Sequence, residues 1–519
     1  MTGNRGKILW VDDEIDHLKP HILFLEDKGY QLTTTTNGSD AITLVGQESF
    51  DLVLLDHFMP GMDGMKTLRE IKEIKPALPI IFITKSEEED LMDEAIFEKV
   101  NQFLIKPVNP TQIFMACKQV LEQSKIREDR VTSGYLKEFQ NTQFQFQEEK
   151  NADDWWDIYT RLVKWQLEFD EHPDISLNDI LDEQIQSANS EFVKFIESNY
   201  KDWLFSDDRP TLSNDVLTRF IKPEIEQDTK TCLLVIDALR YDQFMAIQEF
   251  LNPYYDIKFD YHFSLLPTAT PFSRNSIFSG LFPDEFVKKF PDQLDNMLHH
   301  AKTLNQHEEK MMRSALNKYG FKDKILRFEK INTADSGKRF QMHFSDFKNV
   351  DVLGIVVNFV DMLAHYRAES DILKEMVPDE SGYRSAIRIW FEHSWLFTLL
   401  RDLSKSGFTV IMTSDHGSQK VNRGVLVGAD KESSTGVRYK IGRNLNTNEK
   451  HALIIRRPSD YRLIDLMHQT TYLIAKEDVF FLYPNQQRRY ESQLKGSFQH
   501  GGISLEEMMI PVVTLRSKA

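Results

Sequence analysis

Residues 51–64 read DLVLLDHFMPGMDG, an apolar run that stops on Asp56 and gives way to a proline and two glycines. A short, unbroken apolar run bounded by turn residues is the pattern of a strand buried on both faces, as in a parallel sheet. Outward from it, Lys7–Val11, Tyr30–Thr35, Ile80–Thr84 and Gln102–Ile105 are further short runs separated by helix-forming segments. Together with Asp51–Leu55 they predict a five-stranded parallel α/β domain over residues 1–123. Such sheets gather reactive groups at the carboxyl ends of their strands, which is where Asp12, Asp13, Asp56, Thr84 and Lys106 fall.

That set has a chemical logic. A carboxylate attacks phosphorus only when a hard cation, usually Mg²⁺ on oxygen ligands, offsets the charge of nucleophile and donor. Asp12 and Asp13 with Asp56 are expected to supply those oxygens. Lys106 is expected to pair with the acyl phosphate on Asp56, Thr84 to bond a phosphate oxygen and move inward, and Phe103 to report the movement by changing rotamer. VDDE at 11–14, the quoted stretch and the pair Lys106–Pro107 closely resemble bacterial response-regulator receivers, which have a flavodoxin-like fold, over residues 5–123. The resemblance implies a cognate histidine kinase and dimerisation on phosphorylation.

The whole chain of 519 residues is too long for one core. Its 41% hydrophobic and 28% charged residues are ordinary for folded protein, and a net charge of −17 confines any nucleic-acid contact to a local basic cleft. Cys117 and Cys232 are far apart in apolar surroundings, which suggests neither a disulfide framework nor a thiolate metal site. No stretch approaches the ~20 apolar residues of a membrane span, so a soluble, cytoplasmic protein without membrane insertion is expected.

Residues 124–209 are rich in Gln, Glu, Lys and aromatics, and Trp156, Tyr159, Leu162, Val163 and Leu167 have helical spacing. Pro173 and the Ser176–Leu177 start mark a break before a helix running to about Trp203, so a small helical bundle is expected. Phe139, Phe144 and Phe146 read as core or as a partner surface.

From residue 210 to 519 the α/β alternation returns. Thr231–Ile236, Val350–Val360 and Phe408–Ser414 read as buried strands ending in Asp237, Asp361 and Asp415–His416. Asp361 and His365 are one helical turn apart and would point at one ion. Gly417 after His416, and Gly501–Gly502 after His500, let the chain turn closely. Carboxylate and imidazole without thiolate suit Zn²⁺, with Mn²⁺ the main competitor. The segment PTATPFSRNSIFSG, residues 267–280, places Thr and Ser hydroxyls at a helix start, where cations would activate one toward phosphorus.

Asp-Ala-Leu-Arg at 237–240 and the ending His-Gly-Gly-x-Ser-x-Glu-Glu-Met at 500–508 make residues 210–519 similar to the PglZ family of the alkaline phosphatase superfamily. The superfamily pattern implies two zinc ions, one on Asp237, Asp415 and His416, the other on Asp361, His365 and His500. It also implies Thr270 as nucleophile in preference to Thr268. Ser273 stands where related phosphodiesterases have an Asn, leaving Asn275 or Arg240 to steady a nonbridging oxygen. Arg438, Lys440, Arg443, Lys450 and Arg456–Arg457 form a basic stretch that reads either as a holder for a second phosphate or nucleotide backbone, or as a solvated hairpin.

A receiver joined to a PglZ domain resembles PorX-type response regulators, associated with type IX protein secretion in Bacteroidetes. That resemblance implies zinc-dependent phosphodiesterase activity on short or cyclic oligonucleotides, with transcriptional consequences through a sigma factor. The competing expectation is a zinc-stabilised, non-catalytic module that binds a transcription partner when Asp56 is phosphorylated.

Overall fold

The computed structural model describes residues 5–85, 100–146, 148–172, 177–292, 307–347, 349–428, 436–484 and 487–518, without the side chains of 122–130 and 487–489. The chain divides into two compact units, Met1–Asn141 with Glu168–Asn178, and Thr142–Leu167 with Asp179–Ala519.

In the first unit, β1 (Gly6–Val11), β2 (Tyr30–Thr35), β3 (Leu52–Asp56), β4 (Ile80–Thr84) and β5 (Gln102–Ile105) form a parallel sheet in the order β2-β1-β3-β4-β5. Successive side chains of a strand point to opposite faces, so an unbroken apolar run feeds two cores. Ile8, Trp10, Leu52, Leu54, Ile81 and Ile83 pack on one face with Ile113 and Cys117; Leu9, Val11, Val53, Leu55, Ile80 and Phe82 pack on the other with Leu68 and Ile71. That two-sided burial is why the strands show no polar alternation.

The helical middle consists of the helices Pro110–Gln145, Ala152–Glu171 and Asn178–Trp203. Its expected break at Pro173 and Ser176 lies outside the described residues. The first helix starts against the receiver sheet through Ile113, Ala116, Cys117 and Val120, and runs on for 36 residues. In the second unit, Tyr159, Leu162 and Val163 are buried, and Trp156 stacks on Tyr261 at 4.9 Å. Phe192 stacks on Phe263 at 6.3 Å. Asn189 is 3% exposed: its side-chain oxygen accepts the Leu505 amide at 2.7 Å, and its nitrogen donates to both oxygens of Glu506 at 3.1 and 3.3 Å. Phe144 stands 69% exposed.

The large sheet of the second unit contains β6 (Thr231–Ile236), β7 (Tyr255–Phe263), β8 (Leu326–Ile331), β9 (Val352–Val357) and β10 (Thr409–Thr413). Two-, four- and five-residue excursions follow: β11 (Gln419–Lys420), β12 (Arg423–Leu426), β13 (Tyr439–Gly442), β14 (Ala452–Ile455), β15 (Thr471–Ala475), β16 (Val479–Leu482) and β17 (Phe498–Gln499), before the long β18 (Met509–Ser517) returns to the sheet. The order is β7-β18-β10-β6-β9-β8, with β10, β6, β9 and β8 parallel and β18 antiparallel to both β10 and β7. Alternate residues of β6 again serve two cores, Cys232, Leu234 and Ile236 meeting Ile387, Leu396 and Leu399, and Leu233 and Val235 meeting Ile277, Phe278 and Met311.

One boundary differs from the sequence reading. β9 ends at Val357, where its pairing with Ile236 and Ile331 ends, and Phe359–Glu369 is a helix. Asp361 is therefore in a helical first turn, not at a strand end, and His365 follows one turn later on the same helix. Among the described residues no helix is long and apolar enough to cross a membrane.

Candidate active site

The receiver acids converge as ligands would. One ligand atom each from Asp12, Asp13 and Asp56 lies within 4.8 Å of the others, with Asp12 and Asp56 buried. Lys106 Nζ is 2.9 Å from both Asp12 Oδ2 and Asp56 Oδ1. Burial raises the Asp56 carboxyl, Asp12 and Asp13 add to the rise, and Lys106 opposes it. Such a crowd of like charges is relieved by a divalent cation, which is what Mg²⁺ would supply. Thr84 is buried at the end of β4, beside β3, where Asp56 pairs with Ile83. Phe103, on β5, is half-buried with its ring edge-on to Phe82 at 6.0 Å.

In the second unit the carboxyl end of the central strands carries two ligand sets. The first is Asp237, just after β6, with Asp415 and His416, just after β10; all three are buried and their ligand atoms lie within 4.8 Å of one another. His416 Nδ1 is 3.0 Å from the Gly417 carbonyl, so it carries the proton and leaves the Nε2 lone pair facing the cluster. Nε2 is 3.6 Å from Asp237 Oδ1, a buried oxygen without a hydrogen-bond partner among the described residues. Thr270 begins the helix Thr270–Ser279, and its Oγ1 is 3.1 Å from His416 Nε2.

The second set is Asp361, His365 and His500, on the helix after β9 and the loop after β17, again within 4.8 Å. Asp361 Oδ1 is 3.4 Å from His365 Nε2 and 3.8 Å from His500 Nε2, and is buried without a hydrogen-bond partner among the described residues. His500 Nδ1 faces the Thr268 carbonyl at 3.2 Å, which again turns Nε2 toward the acids. The imidazoles of His416 and His500 stack at 4.1 Å and join the two sets. Orphaned carboxylate oxygens beside imidazole lone pairs of fixed tautomer fit two Zn²⁺ ions.

Arg274 was not singled out in the sequence, yet it sits among these acids. One turn after Thr270, it donates from Nε to Asp415 Oδ2 at 2.9 Å and from a terminal nitrogen to Asp237 Oδ2, while its other nitrogen is 3.3 Å from Asn358 Oδ1 and 3.6 Å from Glu308 Oε1. It takes one oxygen of Asp237 and leaves the other facing His416. Burial raises the Asp237 carboxyl, with Asp415 and Asp361 adding to the effect; burial also works to raise Asp415, but Arg274 and His416 overcome it and hold that carboxyl low. The i, i+4 spacing from Thr270 was the available signal.

The expected substrate contacts are placed elsewhere. Arg240 is 2% exposed: its guanidinium is clasped by Asp242 and Glu380, donates to the Ser418 carbonyl at 3.1 Å and lies under the Phe498 ring. Asn275 uses its amide on the Pro271 carbonyl at 2.8 Å, one turn back in its own helix, and Ser273 bonds Ser264 and the Leu265 carbonyl. Arg438 is fully buried in a two-pronged pair with Glu507. Lys440 is 5% exposed beside the Tyr483 ring, and burial brings its ammonium down to about 8. The basic stretch thus turns its first two cations inward, because β13 is a largely buried sheet strand paired with β15 rather than a hairpin in water.

Residues 216–515 match the BREX system PglZ alkaline phosphatase-like domain, residues 8–118 the response regulator receiver domain, and residues 125–204 the PorX response regulator linker domain. Among curated proteins, the chain is similar to transcriptional regulatory protein ZraR of Klebsiella oxytoca, 33% identical over 132 residues, 25% of this chain and 30% of the relative. It is also similar to transcriptional regulatory protein ResD of Bacillus subtilis, 34% identical over 121 residues, 23% of this chain and 50% of the relative. The chain thus spans half or less of the length of these relatives. Among solved structures, a CheY-like receiver domain protein from Methanospirillum hungatei is 25% identical, covering 22% of this chain and 94% of its own, with a TM-score of 0.22.

Two outcomes follow from the buried charges. Replacing Arg274 with Met leaves Asp237 and Asp415 without their cation, so the zinc-stripped protein should lose about 3–5 kcal/mol of stability, and added zinc should restore part of it. Denaturant unfolding with and without zinc measures both; an unchanged midpoint in the stripped variant would contradict the pairing. Burial, with His416 beside it, depresses the His500 imidazole from its usual 6.5 to about 4. Between those values the unfolded chain binds a proton that the folded one refuses, so stability of the stripped protein should fall as pH drops from about 6.5 toward 4. His500→Asn should flatten that part of the pH profile.

Proposed function

The chain belongs to the PglZ family of alkaline phosphatase-like domains, carries a response-regulator receiver ahead of it, and from that premise we propose a phosphorylation-controlled regulator whose output is a two-zinc phosphodiesterase. The observation that carries the reading is Thr270 Oγ1 at 3.1 Å from His416 Nε2, inside a paired set of acid and imidazole ligands. A purely structural zinc scaffold needs no hydroxyl at that point.

Zinc held by the two sets would supply positive charge for the entering and leaving oxygens of an in-line displacement. Everything else is done by the chain. The helix Thr270–Ser279 directs its amino end at the phosphoryl group. Thr270 Oγ1 gives up its proton and forms the bond to phosphorus, the bond from phosphorus to the alcohol oxygen breaks, and the proton given up ends on that oxygen, so the alcohol leaves neutral. Water then attacks the phosphothreonine: its oxygen bonds to phosphorus, the bond from phosphorus to Thr270 Oγ1 breaks, one of its protons returns to Oγ1, and the phosphomonoester departs with the other. Arg274 keeps Asp237 and Asp415 in place throughout.

The substrate reading is a phosphodiester in a short or cyclic oligonucleotide. It rests on the threonine nucleophile and on the likeness of residues 125–204 to the PorX linker domain, since Arg438 and Lys440 are turned inward. The same likeness supports a role in type IX secretion through a sigma factor. In the receiver, a histidine kinase supplies the phosphoryl group to Asp56, with homodimerisation as the response.

Thr270→Val should abolish cleavage of an activated phosphodiester, with or without acyl-phosphate treatment, while zinc content by mass spectrometry stays at two per chain; turnover at the parental rate would remove Thr270 from its role. Asp56→Ala should keep basal hydrolysis and fail to dimerise in light scattering after beryllofluoride treatment, and a variant that still dimerises would rule out Asp56 as the trigger. A panel of linear and cyclic oligonucleotides beside phosphomonoesters would identify the substrate class.

A further inference from the structure

Thr268 lies two residues from the proposed nucleophile and is fully buried. Its hydroxyl donates to the Gly502 carbonyl at 2.8 Å and accepts the Gly501 amide at 3.1 Å, so it has no hydrogen left for substrate. Its main-chain carbonyl faces His500 Nδ1 at 3.2 Å. One residue therefore makes contact with three successive members of the loop His500–Gly501–Gly502. The loop needs that grip: Gly501 has φ of 117°, a conformation open chiefly to glycine, and a glycine pair holds its own shape poorly.

Glu507 holds the same loop from another side. Its Oε1 accepts the Gly502 amide at 2.8 Å, its Oε2 accepts the Ser504 hydroxyl at 2.8 Å, and Arg438 donates to both oxygens. Glu507 and Arg438 are both fully buried. The Glu507 carbonyl also accepts the Gly417 amide at 3.2 Å, next to His416. Imidazole ligands are fixed in angle and tautomer by the groups behind them.

We propose that Thr268 and Glu507, the latter oriented by Arg438, are positioning residues that aim His500 Nε2 into the second metal set. They touch neither substrate nor metal and act through the loop. This rests on the two-zinc reading of the site.

The test is a double-mutant cycle on zinc affinity of the full chain, with Thr268→Val, which preserves shape, and His500→Ala. Zinc is titrated against a chromophoric chelator, and the folding of each stripped variant is followed by circular dichroism. Thr268→Val alone should weaken one of the two zinc-binding steps by about tenfold or more and leave the other within threefold. In the His500→Ala background the same substitution should change nothing further, because its target is gone. Glu507→Gln with Arg438→Met removes the buried charge pair together and keeps an acceptor for Gly502; it should bind zinc more tightly than Glu507→Ala, and it carries the comparison if Glu507→Ala does not fold. Equal weakening of both steps by Thr268→Val, or a full additional loss in the His500→Ala background, would overturn the proposal. A parent protein that takes up no zinc would instead overturn the metal reading on which it stands.

Discussion

Two buried carboxylates, Asp237 and Asp415, and the half-buried Asp361 are brought to the same end of one sheet, and the architecture of the second unit depends on how their charge is balanced. Arg274 is the group that answers within the protein itself, taking one oxygen from Asp237 and one from Asp415. Burying such a pair is expensive, and it persists only where geometry and further hydrogen bonds are good. Here Asn358 and Glu308 complete the guanidinium's surroundings. The arrangement leaves Asp237 Oδ1 facing His416, while Asp361 Oδ1, which Arg274 does not touch, faces His365 and His500, so each ligand set keeps a carboxylate oxygen for an ion.

The sheets explain why the acids meet at all. Parallel strands end at a common edge, and the apolar runs of β6 and β10 are long enough to be buried on both faces and no longer. The polar residue that follows is delivered to that edge without a turn of its own. The same construction operates in the receiver, where β1, β3 and β4 deliver Asp12, Asp56 and Thr84. Both sites are thus built on one device, a carboxylate or hydroxyl placed where a buried strand stops.

The sequence was most legible where this device acts. The receiver strands and β6 could be read because apolar runs and the acids ending them are local patterns, whereas the division of the ligands into two sets came from the resemblance to the alkaline phosphatase superfamily. Arg274 was hard to read because its i, i+4 spacing from Thr270 shows only that the two share a helix face, not that the guanidinium meets Asp237 and Asp415, which are 37 and 141 positions away. Arg240, Arg438 and Lys440 misled for the converse reason. A basic residue near a metal motif suggests phosphate, whereas each is enclosed by groups distant in the chain or by apolar packing that only the fold supplies. The end of β9 was missed because strand length was decided by its partners β6 and β8, not by the apolar run, which continues into the helix.

Asn189 has a consequence for how such chains are inherited. A joint that few contacts cross can be cut and rejoined by recombination. The stretch between Trp203 and β6 looks like such a joint, yet the helix before it reaches forward more than 300 positions to hold Leu505 and Glu506, in the short helix Leu505–Met508 after His500. A crossover there would part Asn189 from its partners and leave polar groups buried without bonds. The helix Asn178–Trp203 and the domain after it must therefore travel as one heritable piece, and exchange of one sensing input for another has to fall upstream, along the long helix Pro110–Gln145.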